Sequence, residues 1–130
     1  MIDTPNIPPV SSAGVATNGQ AKVPTHILVI GGAGFVGSVL VRKLLDHGYQ
    51  VTVMDALVYG DEGMRDLYDR SGFAIVQGDV REEAAIEKAT AHADAIVHLG
   101  GLVGDPACAL DEQLTLEINL EATRTVAEMA

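Results

Sequence analysis

A four-residue aliphatic run, Ile27-Leu28-Val29-Ile30, stops abruptly at Gly31-Gly32-Ala33-Gly34-Phe35-Val36-Gly37. The run predicts a buried strand and the glycines a tight turn. Beyond the turn, Val36, Val39, Leu40, Leu44 and Leu45 recur at helical spacing, with Arg42, Lys43 and Asp46 mostly on the other side. His47-Gly48 then closes this helix, because glycine accepts a left-handed conformation and a partly cationic histidine suits the carbonyl end. Val51-Thr52-Val53-Met54-Asp55 reads as a second strand. Strand, helix and strand in about 30 residues make a βαβ unit with a right-handed crossover.

The alternation continues with a short helix around Met64 to Arg70, a strand at Phe73 to Gln77 and a helix from about Glu82 to Ala91. Ala95 to Leu99 is a fourth strand. A last helix begins after Asp105-Pro106 or near Asp111 and runs toward Ala130. This order predicts an α/β fold, a Rossmann-type doubly wound parallel sheet of which only the first four strands are present, in the order 3-2-1-4. The fourth strand is left with an unpaired aliphatic edge, which suggests a chain cut from something longer. Residues 1–24 hold four of the five prolines and no apolar period, so they form a flexible leader; residues 25–130 form the domain.

Composition narrows the possible partners. Hydrophobic residues make up 48% of the chain and tryptophan is absent, so the core is Val, Ile, Leu and Ala, as in parallel strands buried on both faces. Eighteen acidic against eight basic residues, a net charge of -10, argue against nucleic acid or an anionic membrane as partner. The single Cys108 has no disulfide partner in the chain and no ligand-spaced neighbours; its expected role is structural or incidental. With no apolar stretch long enough for a membrane span and no secretory leader pattern, a cytoplasmic protein is expected. His47 and His92 lack ligand-spaced partners, and no metal site is expected.

Gly32, Gly34 and Gly37 satisfy G-x-G-x-x-G, while Gly31, Gly34 and Gly37 satisfy the looser G-x-x-G-x-x-G. Such a turn can be only a turn. Its place between a buried strand and an amphipathic helix is what points to a phosphate, which would meet free N–H groups at the helix start. Asp55 closes the second strand 18 residues after Gly37, near the roughly 20-residue offset of a carboxylate that accepts the ribose hydroxyls of NAD. A 2′-phosphate would be repelled there, and no Lys or Arg stands nearby to receive one, so NAD is favoured over NADP. The plainer reading of Asp55 is a cap on the following loop.

Asp79, after the third strand, has two readings of equal standing: a contact to the adenine amino group, or the N-cap of the next helix. His98 reads better as a satisfied, partly buried histidine than as a catalyst. Leu99-Gly100-Gly101 offers a small-residue floor beneath a ribose and nicotinamide, or simply the end of a strand.

Taken together, the glycine turn, Asp55, Gly78-Asp79-Val80, His98-Leu99-Gly100-Gly101 and Asn119 resemble the extended short-chain dehydrogenase/reductase family, in particular its NAD-dependent nucleotide-sugar epimerases and dehydratases. The resemblance covers nearly everything after His26. It implies that Phe35 and Val36 give backbone contacts to the pyrophosphate, Asp55 holds the adenosine ribose, Asp79 and Val80 border the adenine, and Leu99, Gly100, Gly101 and Asn119 line the cofactor site. Alanines commonly stand where Gly100 and Gly101 are here, and Ala122-Thr123 stands where many members have Gly-Thr.

The family's Tyr-x-x-x-Lys pair is absent: Tyr49, Tyr59 and Tyr68 are followed four positions later by Val53, Gly63 and Gly72. No catalytic residue is therefore named. The resemblance implies the cofactor-binding portion of an enzyme that moves a hydride through a transient keto sugar, with NAD and a nucleotide sugar as partners and a homodimer among the assemblies open to it. A non-catalytic NAD-binding or regulatory module, or a simple NAD-dependent reductase of the same family, shares the same cofactor half.

Overall fold

The computed structural model describes residues 24–130; the leader expected over residues 1–24 lies, save for Pro24, outside the described residues. Four strands, β1 (His26–Ile30), β2 (Gln50–Asp55), β3 (Phe73–Gln77) and β4 (Ala95–His98), form one parallel sheet in the order β3-β2-β1-β4. This is the strand order expected from the sequence. Register brings the carboxyl ends together: Ile30 pairs with Met54 on one side and His98 on the other, and Asp55 pairs with Gln77.

Alternation along β1 and β2 produces two cores, because successive side chains in a strand point to opposite faces. On one face Ile27, Val29, Val51 and Val53 pack with Val41 and Leu45 of α1 (Phe35–Asp46) and with Met64 and Leu67. On the other, Leu28, Ile30 and Met54 meet Ile86 and Ala89 of α2 (Glu83–Thr90) and Val126 of α5 (Ala122–Met129). Leu28, Val29 and Ile30 are wholly buried, as strands covered on both faces require.

Helix α1 ends as read, with Gly48 at φ +84° and the His47 ring bonded to the Lys43 carbonyl at 2.7 Å. The segment expected as a short helix near Met64 is a 3-10 turn over Glu62–Leu67, anchored to α1 by Arg42, whose guanidinium donates to the Gly63 carbonyl and the Asp66 carboxylate. Both starts expected for the last helix occur. After Gly104 at φ +93° the chain forms α3 (Asp105–Leu110), with Pro106 in its first turn, where a missing N–H costs nothing. Asp111 is extended and breaks the helix, and its side chain caps α4 (Glu112–Leu116) by accepting from the Leu114 amide at 2.9 Å. A π-helical turn, Glu117–Glu121, joins α4 to α5.

Candidate functional site

A cavity of about 610 Å³ opens at the carboxyl ends of the strands, between the glycine turn, the loop after β2, the turn after β3 and the segment after β4. Its position is where open α/β sheets reverse winding direction, here between β1 and β4, and its volume is that of a small-molecule site.

The glycines shape its floor by close approach of backbones. Gly31 stands at φ +76°, donates to the Met54 carbonyl at 2.8 Å, and lies so near β4's end that a Cβ would sit 2.6 Å from the Gly100 nitrogen. A Cβ on Gly37 would lie 2.5 Å from the Gly31 carbonyl oxygen, so α1 can begin only if this residue is glycine. Gly34, the N-cap, has no side-chain cap, and the first turn of α1 contains no acidic residue. The amides of Phe35, Val36 and Gly37 therefore have no intrahelical acceptor and stand at the positive end of the helix dipole. Phe35 is 91% exposed, so its side chain does not shield that end. This is a cradle that fits a pyrophosphate.

Asp55 fixes the next wall. Its Oδ2 accepts from the Ala33 amide at 3.0 Å and its Oδ1 from the Leu57 amide at 2.9 Å. The loop-capping reading thus holds as far as it goes, since Leu57, at φ +56°, is steadied by Asp55, but the same carboxylate also reaches back to the glycine turn. Asp79 does not cap α2: the N-cap there is Glu82, which makes no side-chain cap bond. Instead Asp79 accepts from Arg81, through the backbone N–H at 2.9 Å, through Nε at 3.1 Å to each oxygen and through Nη2 at 2.6 Å. The guanidinium holds the Asp79 carboxyl below the usual carboxylate range. Val80 lines the same wall.

At the β4 end, Leu99, Gly100 and Gly101 line the cavity, whereas Asn119 stands behind them. Its Oδ1 accepts from the Leu102 amide and its Nδ2 donates to the Leu102 carbonyl, both at 2.8 Å, so it clamps the segment that forms the floor. His98 lies beneath. The Thr123 hydroxyl donates to the Asn119 carbonyl at 2.9 Å, which leaves its oxygen to accept from His98 Nε2 at 3.1 Å. That assigns the proton to Nε2, and Nδ1 is buried with no hydrogen-bond partner. The expectation of a fully satisfied histidine is met at one nitrogen only. Burial pushes the His98 pKa below its ordinary 6.5, so the ring is neutral near pH 7.

Sequence reasoning did not place Arg81, Tyr59, Leu114 or Ile118 at the site, and all four also line the cavity. Leu114 and Ile118 carry the one signal available beforehand, an i, i+4 apolar pair near the start of the last helix. Among the described residues no cluster of His, Cys, Asp or Glu is arranged to hold a metal, and no described helix is long and apolar enough to cross a membrane.

Residues 27–130 match the model of the NAD dependent epimerase/dehydratase family. The chain belongs to that family. Among curated relatives it is 36% identical over 120 residues to the bifunctional UDP-glucose 4-epimerase and UDP-xylose 4-epimerase 3 of Arabidopsis thaliana, covering 79% of this chain and 34% of that protein. It is 33% identical over 107 residues to a dTDP-glucose 4,6-dehydratase of Mycolicibacterium smegmatis, covering 79% and 32%. Among solved structures, the Thermus thermophilus UDP-glucose 4-epimerase in complex with NAD superposes with a TM-score of 0.69 at 28% identity, covering 80% of this chain and 33% of that one. The Bordetella bronchiseptica enzyme WbmF in complex with NAD+ and UDP superposes at 0.70 with 29% identity, covering 81% and 31%. The chain thus spans about a third of the length of the epimerases and dehydratases it matches. The family match includes every residue that lines the cavity.

Proposed function

We propose that this chain is the NAD-binding portion of an NAD-dependent nucleotide-sugar epimerase or dehydratase. The observation that carries the reading is an uncapped, non-acidic helix start at Gly34 with the Asp55 carboxylate beside it in one cavity. The two features suit adjoining parts of an adenosine diphosphate: donors for the pyrophosphate, an acceptor for the ribose. Phe35, Val36 and Gly37 would present amides to the pyrophosphate, Asp55 would accept from the ribose hydroxyls, Asp79 and Val80 would border the adenine, and Leu99, Gly100 and Gly101 would lie under the nicotinamide end, with Asn119 holding them.

Bound there, NAD supplies a hydride acceptor and donor for a sugar carbon in the intact enzyme, by way of a transient keto sugar. The contribution of residues 24–130 is positioning: the neutral His98 and the Asn119 clamp set the floor, and the two carboxylates set the adenosine end. Both NAD-complexed structural neighbours and the epimerase and dehydratase names of the relatives support this reading.

Calorimetric titration of the chain with NAD and with NADP tests it. Saturable NAD binding with NADP bound more weakly is the expected result, and failure of both to bind would overturn it. For the sugar chemistry, the chain joined to the downstream sequence of its gene is assayed with UDP-glucose and dTDP-glucose. Bound NAD without turnover of any nucleotide sugar would reduce the proposal to a cofactor-binding module.

A further inference from the structure

Arg81 is the only cationic side chain among the described residues that line the cavity, and both its neighbours of opposite charge are already engaged with it. One edge of its guanidinium grips Asp79, with Nη2 2.6 Å from Oδ2 and Nε 3.1 Å from each oxygen. Its Nη1 reaches Glu117 Oε2 at 3.6 Å, and Glu117 Oε1 accepts from Gln113 Nε2 at 3.1 Å. The network ties the turn after β3, which lines the cavity, to the π-helical turn that follows α4. Two residues beyond Glu117, on the same turn, Asn119 clamps Leu102, which also lines the cavity.

A planar guanidinium that bonds a carboxylate through two of its nitrogens fixes that carboxylate in plane and orientation, which a point charge on a flexible stem does not. With its charge met by Asp79 and Glu117, Arg81 is poorly placed to act as a phosphate ligand, and its geometry is that of a support. We infer that Arg81 is a positioning residue that holds Asp79 for recognition of the nucleobase, so that selectivity for adenine over a base bearing oxygen at the same position depends on it. The inference rests on the assignment of the cavity to NAD. Adenine presents an amino donor toward an acceptor such as Asp79, whereas hypoxanthine presents a carbonyl oxygen there, which a fixed carboxylate repels.

The test is the ratio of dissociation constants for nicotinamide hypoxanthine dinucleotide and NAD, measured on the whole chain and on Arg81→Ala, Arg81→Lys and Glu117→Gln. The unaltered chain is expected to favour NAD by about tenfold, the effect of one hydrogen bond to a charged group. In Arg81→Ala the ratio should fall toward unity because NAD binding weakens more than binding of the analogue. Arg81→Lys should restore only part of it, and Glu117→Gln should weaken it mildly. An equal loss for both dinucleotides would show a merely structural arginine, and an increased ratio would show one that competes with the base for Asp79; either overturns the inference. If Arg81→Ala does not fold, the same ratio in Arg81→Lys decides: no change from the unaltered chain overturns it. Absence of NAD binding by the unaltered chain is a different failure, since it removes the assignment of the cavity itself.

Discussion

The Asp55 carboxylate accepts a hydrogen bond from the amide of Ala33 at 3.0 Å, joining the end of β2 to the glycine turn that follows β1. The same group accepts from Leu57 at 2.9 Å, so one side chain sets both the turn and the loop beyond it. Each bond uses only part of a carboxylate's acceptor capacity, so acceptor sites remain for the ribose proposed above.

Asp55→Asn tests that double role. An amide has one oxygen, so either Ala33 or Leu57 faces an N–H donor instead of an acceptor. NAD affinity is expected to fall by about tenfold or more, and stability by about 1–3 kcal/mol, the cost of an unmet amide. Titration calorimetry and urea unfolding of the same protein measure the two effects.

Gly31→Ala and Gly48→Ala separate backbone strain from overlap. Both glycines have positive φ, but a Cβ at Gly48 meets nothing within 4 Å, whereas at Gly31 it would lie 2.6 Å from the Gly100 nitrogen and 2.8 Å from the Leu99 carbonyl carbon. Gly48→Ala should cost about 1–2 kcal/mol from conformation alone. Gly31→Ala should cost distinctly more, about 3 kcal/mol or above, and should also abolish NAD binding, because the obstacle is main chain that cannot rotate away. Thermal unfolding ranks the two.

Asn119→Ala frees the amide and carbonyl of Leu102 while leaving the cavity lining intact. A loss of about 1–2 kcal/mol is expected from two hydrogen bonds. Hydrogen exchange should locate it: the Leu102 amide should exchange faster than in the unaltered chain, with strand β1 unchanged. Equal acceleration throughout the sheet would instead mark Asn119 as a global support.

His98 makes stability depend on pH. Burial lowers its folded pKa below the unfolded 6.5, so the folded state binds fewer protons than the unfolded chain near neutrality. The contribution is therefore complete above about pH 6.5 and is lost as the pH falls through that value, levelling off below the folded pKa. Urea unfolding between pH 5 and pH 8, compared with His98→Gln, should show this slope in the histidine protein and its loss in the variant.

The strands were legible because aliphatic runs such as Ile27 to Ile30 admit few other environments, and the positions of β1, β2 and β3 follow from them to within a residue. The glycine turn was legible for a similar reason: positive φ at Gly31 and close approach at Gly37 exclude other residue types. Less was visible around Asp79. A sequence shows an acidic residue after a strand and cannot show that the Arg81 gripping it is held in turn by Glu117, which lies 38 positions from Asp79. The break at Asp111 is legible only as two competing helix starts, because Pro106 suits a first turn and Asp111 an N-cap, and both are used.

By itself, the sequence determined the order of elements, the parallel sheet and the place of the turn. Those depend on periodicity, side-chain volume and local conformational cost, all of which act over a few residues. Tertiary structure decided what each polar group does. Asp55 serves two amides, Asp79 is gripped by Arg81 instead of capping α2, and Asn119 braces the floor from behind. Hydrogen bonds are directional and short-ranged, so their partners, whether two residues away like Leu57 and Arg81 or farther off like Ala33 and Leu102, are set by a backbone geometry that residue order alone does not encode.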